Sequence, residues 1–196
     1  MDPRIRRTKA SIVNAFIQLR AKKPLEKITI RELTQLAGIN KATFYLHYQD
    51  IYDLSHQLET EMIQSILGGI QHPEYFLTAP ARFTQELHSA ILGQGALLRI
   101  VFPESQSLLL ADRLEQGLLD YLEEHYPDQW DSTGSQQARV ILSYMVYGSY
   151  FAYIRHPQEP DIVNTVSEIS ETILRHYRGQ AETTGENGDT MWKSPL

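Results

Sequence analysis

An all-α chain is predicted by three observations. Residues 28–54 carry two helix start signals around a forced turn. Apolar residues then recur at helical spacing in a series of segments closed by glycine or proline. Finally, 42% hydrophobic content over 196 residues is ample for a packed core. The expected architecture is a three-helix helix-turn-helix head followed by a helical bundle.

Taken in order, the first helix is expected over residues 4–22. Ile12, Val13, Phe16, Ile17 and Leu19 lie on one face, and Arg4, Arg6, Arg7 and Lys9 sit near its start. Those charges oppose the helix dipole, a small cost that phosphates would remove. Pro24 breaks the helix, and Leu25 caps a small core. Thr29 with Glu32 three residues on reads as a capping box, with Ile30, Leu33, Leu36 and Ala37 at helical spacing behind it. Gly38 suits the left-handed residue that ends such a helix, and Asn40 is a second N-cap that starts another helix at Lys41. Three short helices over residues 4–48 result.

On the last of these helices Phe44 and Tyr48 share an inward face by their i, i+4 spacing. Ala42, Thr43, Tyr45, Leu46 and His47 occupy the opposite arc. A small residue that allows close approach, hydroxyls, an imidazole and a leucine able to touch a thymine methyl form a surface suited to a DNA groove. Lys41 at the helix start favours a phosphate. The competing reading is an ordinary helical hairpin.

From Asp50, an N-cap, a long amphipathic helix runs through Ile51, Leu54, Leu58, Met62, Ile66 and Leu67 to Gly68, Gly69 and Pro73. Residues 80–101 read as one loose helix interrupted by Gly93 and Gly95, and residues 104–126 as an amphipathic helix with an acidic outer face. A helix from Ser135 to Arg155 contains Ile141 to Ile154, apolar nearly all round. Fourteen residues are too few to span a bilayer, which needs about 20, so a fully buried helix is expected, and in a chain this small its two-sided burial points to a partner subunit. Asp161 caps a final helix with Ile162, Val163, Val166, Ile169, Ile173 and Leu174. Residues 179–196 read as a flexible tail in which Met191 and Trp192 form no motif.

The net charge of −6 argues against a polyanionic partner until its distribution is considered. Residues 1–49 hold ten Lys and Arg against three Asp and Glu, whereas residues 50–196 hold eight against twenty-one. A basic head on an acidic body is the pattern expected of a DNA-binding head whose body is kept off the duplex. With no cysteine there is no disulfide framework, thiol nucleophile or Cys-ligated zinc, and with no apolar leader a cytoplasmic location is expected. There is no Gly-x-Ser-x-Gly elbow, phosphate loop, His-Glu-x-x-His or metal-spaced histidine pair. No catalytic residue, metal site or cofactor is therefore predicted, and the chain is not expected to be an enzyme.

Residues 8–56 resemble the DNA-binding domain of the TetR family of bacterial transcription regulators through Gly38, Thr43, Phe44, Tyr45, His47 and Tyr48. Tyr48 to Leu54 matches a subset written Tyr-x-Asp-Ile-Tyr-Asp-Leu. The resemblance implies a DNA-binding set of Thr29, Asn40, Lys41, Ala42, Thr43, Tyr45 and His47, with Thr29 on phosphate. Ile51 departs from the lysine that many members place there and is left out. It further implies a connecting helix that swings as a pendulum, and a homodimer joined by the last two helices as a four-helix interface. The domains expected are 1–49 (DNA-binding), 50–72 (connecting helix), 73–178 (regulatory and dimerisation) and 179–196 (tail).

Such a dimer would be a repressor that binds a palindromic double-stranded operator and is released by a small-molecule effector. Bundles bind such ligands between helices, and the candidate lining is Tyr144, Tyr147, Tyr150 and Phe151 facing Phe83, Leu87 and Leu114. Two alternatives stay open: these residues are core and dimer packing, and the regulator is controlled by a protein partner, without a ligand and acting as an activator.

Overall fold

The structure is a computed structural model that describes residues 2–125, 127, 135–156 and 158–183. Every regular element among them is helical. The helices are α1 (Pro3–Arg20), α2 (Ile30–Ala37), α3 (Lys41–Tyr45), α4 (Ile51–Leu67), α5 (Tyr75–Thr78), α6 (Pro80–Gly93), α7 (Gly95–Val101), α8 (Ser107–His125), α9 (Ser135–Arg155) and α10 (Ile162–Thr183), with single 3-10 turns at Leu25–Lys27 and Glu104–Gln106.

The chain divides into two compact units, Met1–Met62 with Gln94–Ser107, and Ile63–Gly93 with Leu108–Leu196. In the first unit Ile12, Phe16, Leu25, Ile28, Leu33, Phe44, Tyr48, Ile51 and Leu54 form one buried core. Its short helices are held by their ends. Asp2 caps α1 through the Arg4 N–H at 2.8 Å. Asp50 and Asp53 bracket the start of α4: Asp50 accepts the Asp53 N–H, and Asp53 accepts the Gln49 N–H, each at 2.8 Å. Gly38 takes φ +68°, the left-handed conformation that lets α2 end two residues before α3 is capped. Ile51 is buried in this core, which explains why it cannot serve as a phosphate contact.

Residues 80–101 do not form one helix. α6 stops at Gly93, Gly95 takes φ +56°, and residues 94–107 fold with the first unit, where α7 packs on α1. The glycines predicted to loosen a helix thus change the unit to which the chain belongs, and a division of the chain at residues 50–73 misses this returning segment. The short α5 carries no periodic signal and was not expected, and residues 104–106, expected as the start of a helix, form a 3-10 turn before α8 begins at Ser107.

In the second unit α6 and α10 pack along their lengths. Small residues permit this: Ser167 and Ser170 are buried on α10 and return their hydroxyls to the carbonyls of Val163 and Val166 at 2.7 and 2.9 Å. Glu171 accepts the Ala81 N–H at 3.3 Å, closing the exposed start of α6. Leu110, Leu114, Leu118 and Leu122 form the buried stripe of α8.

α9 corrects the expectation of burial all round. Ile141, Leu142, Met145, Val146 and Ser149 are buried, while Val140 and Tyr144 are 65% and 61% exposed and Gly148 is also exposed. Their i, i+4 spacing makes an open apolar stripe on one face. Residues 179–183, expected in the tail, are helical, since α10 continues to Thr183. Residues 184–196, with Met191 and Trp192, lie outside the described residues, as does Pro157.

Candidate nucleic-acid interface and interior cavity

The head presents α3 by burying one side of it. Phe44 is fully buried and Tyr48 5% exposed, their rings 5.7 Å apart, with the Lys9 ammonium 5.8 Å over the Tyr48 ring. Anchored there, the opposite arc turns outward: Lys41 and Ala42 are exposed, Tyr45 is 56% and Leu46 82% exposed, and Thr43 and His47 are half-buried. Tyr45 stands edge-on against Phe44 at 5.6 Å, so its ring is braced from behind while its hydroxyl is free to reach a partner. α3 ends at Tyr45, and Leu46 and His47 lie on the turn that follows.

Two residues expected at the interface are engaged in holding it. Asn40 Oδ1 accepts the Thr43 N–H at 2.7 Å and its hydroxyl at 2.9 Å, leaving the Thr43 oxygen as an acceptor and Asn40 its amide group. The Thr29 hydroxyl donates to Glu32 Oε2 at 2.8 Å and accepts the Glu32 N–H at 3.3 Å, while the Thr29 N–H donates to the same carboxylate at 3.2 Å. Lys23 Nζ meets both Glu32 oxygens at 2.8 Å. The Lys23 ammonium, then the Thr29 hydroxyl and N–H, hold the Glu32 carboxyl down at about 2. A carboxylate therefore already occupies the anion-favouring start of α2, where Thr29 was expected to meet phosphate. The Lys23–Glu32 pairing across nine residues left no periodic trace in the sequence.

The second unit contains a small cavity, about 10 Å³, lined by Thr84, Leu87, Ile91, Leu114, Val146, Ser149, Tyr150 and Tyr153. That is room for about one water molecule. Of the predicted lining, Leu87, Leu114 and Tyr150 are there. Phe83 is buried against Phe76 instead, at 5.5 Å. Tyr144 points outward, and Phe151 packs edge-on against Tyr150. The Tyr147 hydroxyl bonds the Asp112 carboxylate, which drives its phenol pKa up. With the Ser143–Glu115 and Arg139–Glu123 bonds it makes a polar seam between α8 and α9. One-dimensional periodicity had placed Tyr147 inward because it cannot see that α8 offers its hydroxyl a carboxylate.

Beside the cavity, and unpredicted, the His88 ring lies 3.9 Å from that of Tyr153. Burial lowers the His88 pKa and pushes the Tyr153 phenol up to about 12. A shallow surface hollow of about 490 Å³ opens over His72, Tyr75, Arg82 and Glu86, in which His72 stacks on Tyr75 at 4.6 Å. Among the described residues no cluster of acidic or histidine side chains could hold a metal ion, and no helix is long and apolar enough to cross a membrane.

No family model matches the chain, and no curated protein matches it. Among solved structures it is similar to the crystal structure of the TetR family repressor AlkX from Dietzia sp. strain DQ12-45-1b, described as implicated in biodegradation of n-alkanes. The two are 18% identical, over 86% of this chain and 97% of that one, with a TM-score of 0.43. At that level of superposition the functional reading rests on the residues and geometry of the head.

Proposed function

We propose that this chain is a TetR-type transcription regulator, a cytoplasmic repressor that binds a palindromic operator as a homodimer and is released by a small molecule bound in its body. The observation that carries this reading is the head itself. Two capped helices meet at a left-handed glycine, and their shared core leaves Lys41, Ala42, Tyr45 and Leu46 exposed together on α3 and the turn after it. Ten of the chain's eighteen Lys and Arg lie in residues 1–49 and supply the sequence-independent attraction to phosphate. Thr29 and Asn40 contribute by holding α2 and α3 in register, and Thr43 and His47 flank the reading surface.

The open stripe of Val140, Tyr144 and Gly148 on α9 supports a second copy as partner. Two heads on a palindrome would enter major grooves about 34 to 36 Å apart. A ligand that favours a different spacing by about 2.7 kcal/mol would lower operator affinity about a hundredfold. The small size of the interior cavity favours a second reading, in which a protein bound to the body sets the state of the head and no ligand is involved.

Selection from a random duplex pool tests the proposal. Enrichment of a palindrome, bound more weakly as salt rises, is the expected outcome. Tyr45→Ala should then lose about 1–3 kcal/mol of operator affinity with the oligomeric state unchanged, and Lys41→Ala should weaken all sequences alike and reduce the salt slope by about one. A pool with nothing enriched, even at low salt, would remove the stand-alone regulator.

A further inference from the structure

The cavity in the second unit is walled by Leu87, Ile91, Leu114 and Val146, yet it adjoins polar atoms that the closed protein leaves unsatisfied. The hydroxyl of Tyr153, a lining residue, and Nδ1 of the adjacent His88 are both buried without a hydrogen-bond partner. Among the described residues only Gln106 Oε1 shares that condition. Such groups are expensive to keep, so a pair of them side by side at an apolar cavity calls for an explanation.

Building on the ligand-released regulator proposed above, we infer that this is its effector site, and that it takes a neutral, mainly apolar molecule carrying one hydrogen-bonding oxygen, such as a small ketone. The oxygen accepts the Tyr153 O–H, and the His88 imidazole is positioned to contribute Nδ1 beside it. No Lys, Arg, Asp or Glu lines the cavity. Burial also keeps the phenol protonated and the imidazole neutral, so neither a carboxylate nor an ammonium ligand would find a counter-charge. The ring pair His88 and Tyr153, with Tyr150, suits a flat apolar body.

As closed, the cavity holds no more than a water, so ligand entry selects an opened state of the same walls. In the closed state neither group has a partner in the protein, and the bound oxygen supplies one.

The test is calorimetric titration and thermal melting of the full chain without DNA. The probes are acetophenone and cyclohexanone, with ethylbenzene and benzoate as the hydrocarbon and the anion of matching shape. Both ketones should raise the melting temperature, and acetophenone should bind about tenfold more tightly than ethylbenzene, the worth of about one hydrogen bond. Benzoate should bind more weakly than either. Tyr153→Phe should melt above the parent chain when ligand-free and bind acetophenone and ethylbenzene alike; Tyr153→Leu, which also lacks the hydroxyl, provides the same binding comparison should the first variant not fold.

The inference is overturned if neither ketone binds up to its solubility, if benzoate binds best, or if the variants keep the parent's preference for acetophenone. Because none of these readings involves DNA, they separate from the fate of the operator reading. A selected palindrome with no ketone binding sinks this site alone, whereas ketone binding with no selectable operator sinks the regulator and leaves a ligand site.

Discussion

The two units solve the problem of holding helices together in different ways. In the head α2 has eight residues and α3 five, lengths at which an isolated helix in water is unstable. Each is secured at its own start, by the reciprocal Thr29–Glu32 pair and by Asn40, and α2 is closed by the left-handed Gly38. In the second unit α9 and α10 run for 21 and 22 residues and are held mainly by their flanks. Small serines let α10 approach α6, carboxylates on α8 bind α9, and an apolar stripe on α9 stays uncovered. For the regulator proposed, the first arrangement suits a reading surface, which needs a rigid, locally determined frame, and the second suits a body whose packing can have more than one solution.

That contrast can be broken first at the core of the head. Phe44→Ala should cost about 3–5 kcal/mol, because Phe44 is completely buried and stands behind Tyr45; chemical denaturation followed by circular dichroism should show the head's transition collapse. Next, the open stripe of the body is tested by Tyr144→Asp. A charge at an exposed apolar position leaves a lone chain unharmed, but at the centre of an interface it should cost about 2 kcal/mol or more, read by analytical ultracentrifugation as a shift from dimer to monomer. An unchanged monomer in both proteins would refute the dimer.

Gly38→Ala is a smaller and purely local perturbation. A methyl group there meets nothing within 4 Å, so the expected loss of about 1–2 kcal/mol comes from backbone strain at φ +68°, with no effect on ligand binding by the body. The smallest effect concerns acidity. The Glu32 carboxyl is held at about 2, below the 4.5 it would have unpaired. Its contribution is therefore present in full above the unpaired value and fades as pH falls through the lower one. Thermal melts between those limits should decline less steeply for Glu32→Gln than for the parent chain; identical slopes would show that this exposed pair with Lys23 does not stabilise the head.

The same contrast governs what could be read in advance. The capping box, Asn40, Asp50, the Gly38 turn and the inward pair Phe44 and Tyr48 were legible because each is a relation among residues within five positions of one another. The segment 94–107 was not, since only the fold shows that a chain interrupted by glycines returns to the first unit. The candidate lining fared unevenly for a related reason. Helical periodicity identifies apolar and aromatic residues as inward without knowing the neighbouring helix, so Tyr147 was placed in a cavity when an aspartate was waiting for its hydroxyl. His88 was missed because a single half-buried histidine has no pattern at all.

The amino-acid sequence by itself determined the helical class, the ends of the short helices in the head, the face of α3 that turns inward, and the separation of basic from acidic charge. These follow from backbone sterics, local hydrogen bonds and composition, which act over a turn of helix or less. Tertiary structure alone decided that Lys23 reaches Glu32, that α9 leaves Val140 and Tyr144 open, and that two polar atoms without a protein partner lie beside an apolar cavity. Each depends on which surface a neighbouring segment supplies, and that is fixed only when distant parts of the chain pack together.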